Sequence, residues 1–587
     1  MRLRGRCARL GRVRAQTIAY FSMEIALGDE IPTFSGGLGV LAGDFLRAAA
    51  DLGVPAVGVT LLYHHGFFRQ ELDNAGRQVE RPVHWRPADH LEPLEARVKV
   101  PIGNRHVVVG VWRRVVRGDS GSIVPVYFLD TFLPENDPAD QAITDRLYAG
   151  VPIERLSQEA VLGLAGPAML GKLGHEEIAT FHLNEGHASL VPVALLSHRL
   201  CRPVADASPA DIEAVRDRCV FTTHTPVPAG HDRFDPPVVA AVLGPELGDA
   251  LRSIGCLEDG SLNMTVLGMF FSRFVNGVAQ RHGEVAQAMF PEYRIDAITN
   301  GVHVPTWVAP STARLFDWHL HRWRHDNTML RYACGIPLDE IRDAHDQAKK
   351  VMIEEVSARH ETSLDPGALT IGVARRAAAY KRNDLLLSQP ERLRQIVERV
   401  GPLQVVYSGK AHPRDAAGKE VIERVHAAGR ALDGAVTVTY LEDYGISLAA
   451  LLVAGVDVWL NTPVAPHEAS GTSGMKAALN GVPSLSILDG WWIEGHVEGV
   501  TGWAVGTDPG VGTERTVGDP EVDAADESDL LQVLGEVVAP CFYAEDPDEF
   551  AAIRRSAMAL NGSFFTSQRM LGEYTTRAYS EVERLDA

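Results

Sequence analysis

Three short stretches of this chain concentrate glycine, basic and hydroxyl-bearing residues in patterns that suit anions. Phe34-Ser-Gly-Gly-Leu-Gly39 puts Gly36, Gly37 and Gly39 between a predicted strand and a predicted helix. Backbone without side chains there lets N–H groups approach an anion at a helix N-terminus. A tight turn is the plain alternative. Ala374-Arg-Arg-Ala-Ala-Ala-Tyr-Lys-Arg382 follows an apolar run and carries Arg375, Arg376, Lys381 and Arg382. A guanidinium and an ammonium brought together from Arg376 and Lys381 suit a phosphate dianion, against the alternative of a solvated charge run. Glu468-Ala-Ser-Gly-Thr-Ser-Gly-Met-Lys476 joins Gly471 and Gly474 to the hydroxyls of Thr472 and Ser473, with Lys476 on the first turn of a helix. The spacing of a Walker A loop is absent, and Ala477 follows the lysine where a Mg²⁺-binding hydroxyl would be needed. A glycine-rich turn beside a helix-borne lysine suits pyridoxal phosphate, or an ordinary helix N-terminus.

Histidines fall just after predicted strands: His187 in Leu183-Asn-Glu-Gly-His187, His224 in Thr222-Thr-His-Thr225 and His303 in Thr299-Asn-Gly-Val-His303. None has the spacing of a zinc enzyme, so no metal is expected. Fixed donors and acceptors at strand ends suit a hydroxyl-rich ligand such as a sugar. No G-x-S-x-G nucleophile elbow occurs. A glycosidase would need two facing carboxylates, which residue order alone cannot select.

Composition narrows the setting. The 587 residues include 56 Lys and Arg against 76 Asp and Glu, a formal charge of −20. Such a surface argues against a nucleic-acid partner and requires a local basic cluster for any anionic substrate. Six scattered cysteines without a C-x-x-C pair argue against a disulfide framework and fit a cytoplasmic protein. No apolar run is long enough for a membrane span; Ser447–Leu460 is broken by Asp457. Residues 1–16 are Arg-rich without an apolar core and are read as a disordered basic leader.

The elements that must position these motifs alternate. Strands are predicted at Ile18–Phe21, Val54–Leu62, Val107–Val111, Ile123–Asp130, Ala179–Leu183, Val220–Thr223 and Asp296–Thr299, then at Leu369–Val373, Leu403–Ser408, Val436–Leu441, Val456–Leu460 and Ser484–Leu488. Helices are predicted between them, among them Gly39–Leu52, Arg155–Leu173, Met264–Ala279, Leu338–His360, Lys381–Leu387 and Ser473–Leu479. This order predicts an α/β protein with open parallel sheets covered on both faces. Two doubly wound Rossmann-like domains would face each other across a cleft at their strand ends. The expected organisation is an N-terminal domain over 17–315, a C-terminal domain over 316–560 and a C-terminal helix over 561–587 that returns to the first domain.

Together these motifs resemble the α-glucan phosphorylases of glycogen, starch and maltodextrin metabolism, most closely their short bacterial and archaeal branch. The likeness runs from Ile18-Ala-Tyr-Phe-Ser-Met-Glu24 to the final helix and is most specific in Glu468–Lys476, continued by Leu488-Asp-Gly490. It implies a GT-B fold and pyridoxal 5'-phosphate on Lys476. It also implies transfer of a terminal α-1,4-linked glucosyl unit to phosphate, with retention, giving α-glucose 1-phosphate. Catalytic roles fall on Lys476, Arg376 and Lys381. Thr472, Ser473, Gly474, Arg375, Trp307 and Tyr380 are implied around the cofactor; long-form members carry Lys where this chain has Arg375. The Gly36–Gly37 amides join Arg376 and Lys381 at the substrate phosphate, while His224, Asn300, Glu468, Ser470 and Gly471 face the sugar. A homodimer is a family expectation. Two alternatives remain: a nucleotide-sugar-dependent α-glucan synthase of similar fold, and a non-catalytic glucan-binding relative.

Overall fold

In a computed structural model, residues 17–580 are described except 149, 201, 255–259, 360, 361, 511 and 514. The basic leader predicted over 1–16 lies outside them. Among the described residues, one 9-stranded sheet and one 6-stranded sheet dominate. The first contains β1 (Thr17–Ser22), β2 (Ala56–Leu61), β3 (Glu92–Ile102), β4 (Arg105–Arg117), β5 (Ile123–Asp130), β6 (Ile178–Asn184), β7 (Cys219–Thr222), β8 (Phe274–Gly277) and β9 (Asp296–Ala297). Its order is β9-β8-β7-β6-β1-β2-β5-β4-β3. The second contains β10 (Leu369–Ala374), β11 (Leu403–Ser408), β12 (Val436–Leu441), β13 (Val458–Asn461), β14 (Ser484–Ile487) and β15 (Gly502–Val505), in the order β12-β11-β10-β13-β14-β15.

The second sheet is parallel throughout. Its central strands are buried on both faces, as continuous apolar runs such as Leu369–Ala374 require. The first sheet departs from the expected all-parallel arrangement. β3 and β4 pair antiparallel with each other, and β4 pairs antiparallel with β5. β3 alternates exposed with partly buried residues, and with buried ones only at Val100 and Ile102, so one face of this hairpin stays in water.

Two helix expectations are corrected. The helix predicted over Met264–Ala279 ends at Phe270, and Phe274–Gly277 is instead a strand. Asn263 starts that helix by accepting the Thr265 and Val266 N–H groups, and the strand adds to β7 through Phe274–Asn276. Lys381–Leu387 forms two separate 3-10 turns, Ala379–Lys381 and Leu385–Leu387. Arg382 stands between them at φ 45°, its guanidinium donating to the Thr462 and Pro463 carbonyls and to Asp523 and Asp526. Those four fixed acceptors hold the backbone out of a helical path. Strands β3 and β15 were not predicted; Gly502–Val505 is too short to show a period.

Helix α1 (Gly37–Leu52) covers the first sheet, packing Phe45 and Leu46 with Tyr20 and Val126. The last described turns, Ser567–Tyr579, add Met570, Leu571, Tyr574 and Tyr579 to the same cluster. Beside the second sheet, helix α2 (Leu338–Arg359) brings His345 and Lys349 to the buried Asp457 carboxylate, at 3.0 and 2.6 Å, and Arg554 closes the set at 2.7 Å. A buried carboxylate with three such partners stays ionised, and its pKa lies well below the ordinary range. The hairpin Arg69–Leu72/Gln78–Arg81 docks onto the second sheet's loops: Gln70 Nε2 donates to Gly409 O (2.8 Å), and Gln78 exchanges hydrogen bonds with the Ala411 backbone. No helix among the described residues is long and apolar enough to cross a membrane.

Candidate active site

The order of the second sheet places β10 beside β13, where the chain leaves in opposite directions. Loops at such a switch point diverge and open a crevice. Three strand-end loops meet there: Arg375–Arg382 after β10, the segment up to Lys476 after β13, and Asp489–Trp491 after β14. They enclose a cavity of about 30 Å³ lined by Arg375, Lys381, Glu468, Ser470, Ser473 and Asp489, among others.

Charges in this crevice are unevenly satisfied. Arg375 is buried and its guanidinium is bound by the protein itself: Nε to Asn383, Nη1 to Asn461, Nη2 to Thr462 and the Lys381 carbonyl, all within 2.9 Å. Burial pushes its pKa down to about 10. Lys381 forms an ion pair with Glu468 and lies 4.8 Å from the Tyr380 ring centre. The Glu468 N–H donates to Asp489 Oδ2 at 2.8 Å. Burial, with Glu468 nearby, pushes the Asp489 carboxyl up to about 8. Arg376 is exposed, and among the described residues it has no hydrogen bond or ion pair; its charge helps depress the pKa of His412.

Helix α3 (Thr472–Leu479) begins at Gly471, whose φ of 83° turns the chain sharply into the helix. Gly474 is needed for packing: a Cβ there would lie 2.7 Å from Trp491 Cζ2. Ser473 Oγ accepts the Trp459 indole N–H at 3.0 Å. Lys476 is buried with its Nζ 3.9 Å from the Trp307 ring centre. Desolvation pushes its pKa down to about 8, partly offset by Asp44. Asp44 in turn accepts the Trp307 indole N–H at 2.7 Å, and Asn480 bridges the carbonyls of Trp307 and Lys476. The lysine is thereby fixed against an aromatic face contributed by the end of the first half of the chain.

The first sheet has its own switch point, between β1 and β6. Glu24, after β1, accepts the N–H groups of Ser35 and Gly36. The Gly36 amide is therefore already bound within the protein. Glu185, after β6, accepts from Gly186, His224 and Thr225. His224 Nε2 pairs with Asn184 Oδ1 at 2.7 Å, and burial pushes its pKa down to about 4, so the ring is neutral. The Asn300 side-chain oxygen is buried without a hydrogen-bond partner. Glu159, His187 and Asp232 bring potential ligand atoms within 4.8 Å of one another. Arg155 lies among them, 2.8 Å from Asp232 and 3.2 Å from Glu159, so a cation already neutralises the cluster. His303 is held apart by Asp51 (2.8 Å) and Thr306 (2.7 Å).

A family profile described as carbohydrate phosphorylase matches residues 12–109 and 243–578. The chain is 36% identical to the maltodextrin phosphorylase of Thermococcus litoralis, across 97% of this chain and 71% of that protein. It is 34% identical to the glycogen phosphorylases of Mycobacterium tuberculosis and Aquifex aeolicus, each across 96% of this chain and across 70% and 86% of those proteins. The chain belongs to the carbohydrate phosphorylase family. It is thus a glycosyl-transferring enzyme.

This phosphorylase has a donor set that fits pyridoxal phosphate. Lys476 offers an amine whose protonation is disfavoured, beneath an aromatic ring. The Ser470 and Ser484 hydroxyls are buried without partners, and Ser470 lines the cavity. The N-terminal amides of α3 face a space with basic and hydroxyl neighbours. Residue spacing does not single out several of the supporting groups, namely Asp44, Asn184, Asn480 and Asp489. For Asp44 a signal exists: it is an acid in the middle of the largely apolar helix Gly37–Leu52, on a stretch that packs against the sheet. Asn184 and Asn480 carry none, because their partners are more than 30 residues away or are backbone carbonyls.

Proposed function

We propose that this phosphorylase transfers the terminal α-1,4-linked glucosyl unit of a glucan or maltodextrin to inorganic phosphate, giving α-D-glucose 1-phosphate with retention. In this reading residues 17–315 and 316–560 are two facing Rossmann-like domains of GT-B type, and the helix expected over 561–587, whose last residues 581–587 lie outside the described ones, returns to the first. The observation that carries it is the buried, proton-averse Lys476 under Trp307, next to a basic and hydroxyl-lined cavity at a sheet switch point. A sugar-nucleotide enzyme has no use for such a lysine.

The roles of the chain's own residues follow from charge and position. Arg376, exposed and free of internal partners among the described residues, binds the substrate phosphate. Lys381 exchanges part of its pairing with Glu468 for the same phosphate, which frees Glu468 to accept from sugar hydroxyls. Both cations then stabilise the charge that develops as the glycosidic bond breaks. The substrate phosphate itself protonates the leaving oxygen and attacks from the same face, so no carboxylate nucleophile is needed. Pyridoxal phosphate bound at Lys476 supplies a phosphate group that can exchange a proton with it. Thr472, Ser473 and Gly474 hold that group, with Arg375 fixing the loop beneath and Tyr380 and Trp307 flanking it. Neutral His224, Asn300, Ser470 and Gly471 orient the sugar. The enzyme acts in the cytoplasm, as a homodimer, without nucleic acid or membrane.

Phosphate-dependent release of glucose 1-phosphate from maltodextrin by protein purified with pyridoxal phosphate tests this directly. Activity that instead requires ADP-glucose would replace it with the synthase reading. Glucan binding without turnover by the loaded protein would leave a binding relative.

A further inference from the structure

The glycine loop is held from behind by a side chain that the proposed chemistry does not use. Glu24 is buried, and its carboxylate accepts three hydrogen bonds. Oε2 takes the N–H groups of Ser35 and Gly36, and Oε1 takes the Tyr148 hydroxyl at 2.7 Å. Gly39 makes room for it: a Cβ there would lie 3.1 Å from Glu24 Oε2 and 2.8 Å from Phe34 Cβ. With Ser35 and Gly36 turned toward Glu24, the next amides, Gly37 and Leu38, start helix α1 without intrahelical acceptors.

Tyr148 belongs to another part of the chain and is itself firmly placed. It stands at φ 58°, a region costly for a bulky residue and kept only where surroundings enforce it. Its ring carries the Arg155 guanidinium at 4.6 Å and lies 5.9 Å from the His187 ring. Arg155 and His187 converge on Asp232, which follows β7. One connected network thus runs from the glycine loop through Glu24 and Tyr148 to the loops after β6 and β7, where the proposed sugar-facing residues also begin.

We propose that Glu24 and Tyr148 are positioning residues for the substrate phosphate: their hydrogen bond sets the shape of the glycine loop and makes phosphate affinity depend on the placement of Tyr148. This rests on the reading above that the glycine loop takes phosphate. Neither side chain need touch the phosphate. Glu24 selects which amides face the ligand, and Tyr148 holds Glu24 in place.

The test uses enzyme loaded with pyridoxal phosphate and reads inorganic phosphate binding by calorimetry alongside phosphorolysis kinetics. Tyr148→Phe keeps the ring over Arg155 and removes one donor. It should raise the phosphate dissociation constant about five- to tenfold, as loss of one hydrogen bond of typical net worth predicts. The KM for maltodextrin and the cofactor absorbance should stay within about twofold. Glu24→Ala should raise the phosphate constant more, and adding Tyr148→Phe to it should cost nothing further, since both act through one contact. Unchanged phosphate binding in Tyr148→Phe overturns the proposal, as does a double variant whose loss is the product of the two single losses. If Glu24→Ala fails to fold, the Tyr148→Phe result alone decides. A wild-type enzyme that binds phosphate with this variant pattern yet forms no glucose 1-phosphate would refute the proposed reaction and leave the positioning intact. A wild-type enzyme that binds no phosphate would overturn both.

Discussion

The two sheets end in crevices of opposite character. At the ends of β1, β6 and β7 stand Glu24, Glu185, His187, His224 and Asp232, carboxylates and imidazoles bound by neighbouring backbone and side-chain groups. Burial raises the pKa of Glu24 and of Glu159 behind it, and lowers that of His224. At the ends of β10, β13 and β14 stand Arg375, Arg376, Lys381 and Lys476, and burial lowers the pKa of Arg375 and Lys476. Both crevices therefore hold buried groups whose charge is disfavoured, carboxyls and an imidazole in the first and a guanidinium, an ammonium and the Asp489 carboxyl in the second. The first is suited to neutral hydroxyls, which need many directional partners and little net charge. The second is suited to anions, which would restore the solvation its cations have lost. In a chain with a net charge of −20, the gathering of Arg375, Arg376, Lys381 and Lys476 makes the second crevice a local exception.

The largest expected effects break this division residue by residue. Arg376→Ala removes an exposed cation without stranding an internal partner among the described residues. The KM for phosphate should rise about 10- to 100-fold, the worth of a charge-assisted hydrogen bond, and the KM for maltodextrin should move less than about threefold. His224→Ala should do the reverse, raising the KM for maltodextrin about tenfold with that for phosphate nearly constant. Steady-state kinetics with each substrate varied in turn decides. If either variant raises both constants equally, the crevices do not divide the substrates.

Much of this architecture was legible in the sequence, and the gaps have physical causes. Strands such as Leu403–Ser408 and Val436–Leu441 read at their true boundaries because β-branched and aromatic residues dominate them and Gly401-Pro402 and Gly434 mark their starts. β8 was hidden because Phe274–Gly277 follows a helix without a Gly or Pro break and owes its form to pairing with β7. The candidate cluster was legible as motifs, because glycine, lysine and hydroxyl residues lie within nine positions of one another in Glu468–Lys476. Its connections were not. Residue order gave Arg375 no reason to be bound by Asn461 and Thr462, or the Gly36 amide to be taken by Glu24. Such contacts arise only when loops distant in sequence converge at a switch point.

A smaller effect sharpens the comparison through pH. Lys476 has a pKa of about 8 when folded and an ordinary value near 10.5 when unfolded. Between these values the unfolded chain holds the extra proton, so this residue makes the cofactor-free protein more stable as pH rises from about 8 to 10.5. Below pH 8 its full penalty stands, at most about 3 kcal/mol. Lys476→Met should therefore stabilise the cofactor-free protein at pH 7 and flatten its stability between pH 8 and 10. Asp489 acts oppositely: its carboxyl, raised to about 8, loses stability as pH climbs from about 4 to 8. Denaturant midpoints of the wild type and Lys476→Met across that range separate the two, since only the upper limb should respond to the lysine.

The smallest effect concerns how the two crevices are held in register. Asp29, exposed in the loop after β1, accepts the N–H groups of Ile446 and Ser447 at 2.8 Å each. These open the helix Ile446–Gly455 beside the second sheet, so a carboxylate from one half of the chain caps a helix of the other. Gly445 leaves the space, since a Cβ there would lie 2.7 Å from Asp29 Oδ1. Asp29→Ala should cost about 1 kcal/mol, the usual worth of such a cap. Because the carboxylate is exposed, part of that loss should vanish at 1 M salt, whereas the hydrogen-bonding part should not. Asp29→Asn keeps one acceptor oxygen and sets an NH₂ group against the other N–H, so it should recover at most about half of that stability. Neither variant should change the KM for phosphate beyond about twofold, because the hairpin contacts of Gln70 and Gln78 still join the halves. A larger kinetic change in Asp29→Ala, with normal cofactor absorbance, would mean that the register of the crevices depends on this one cap.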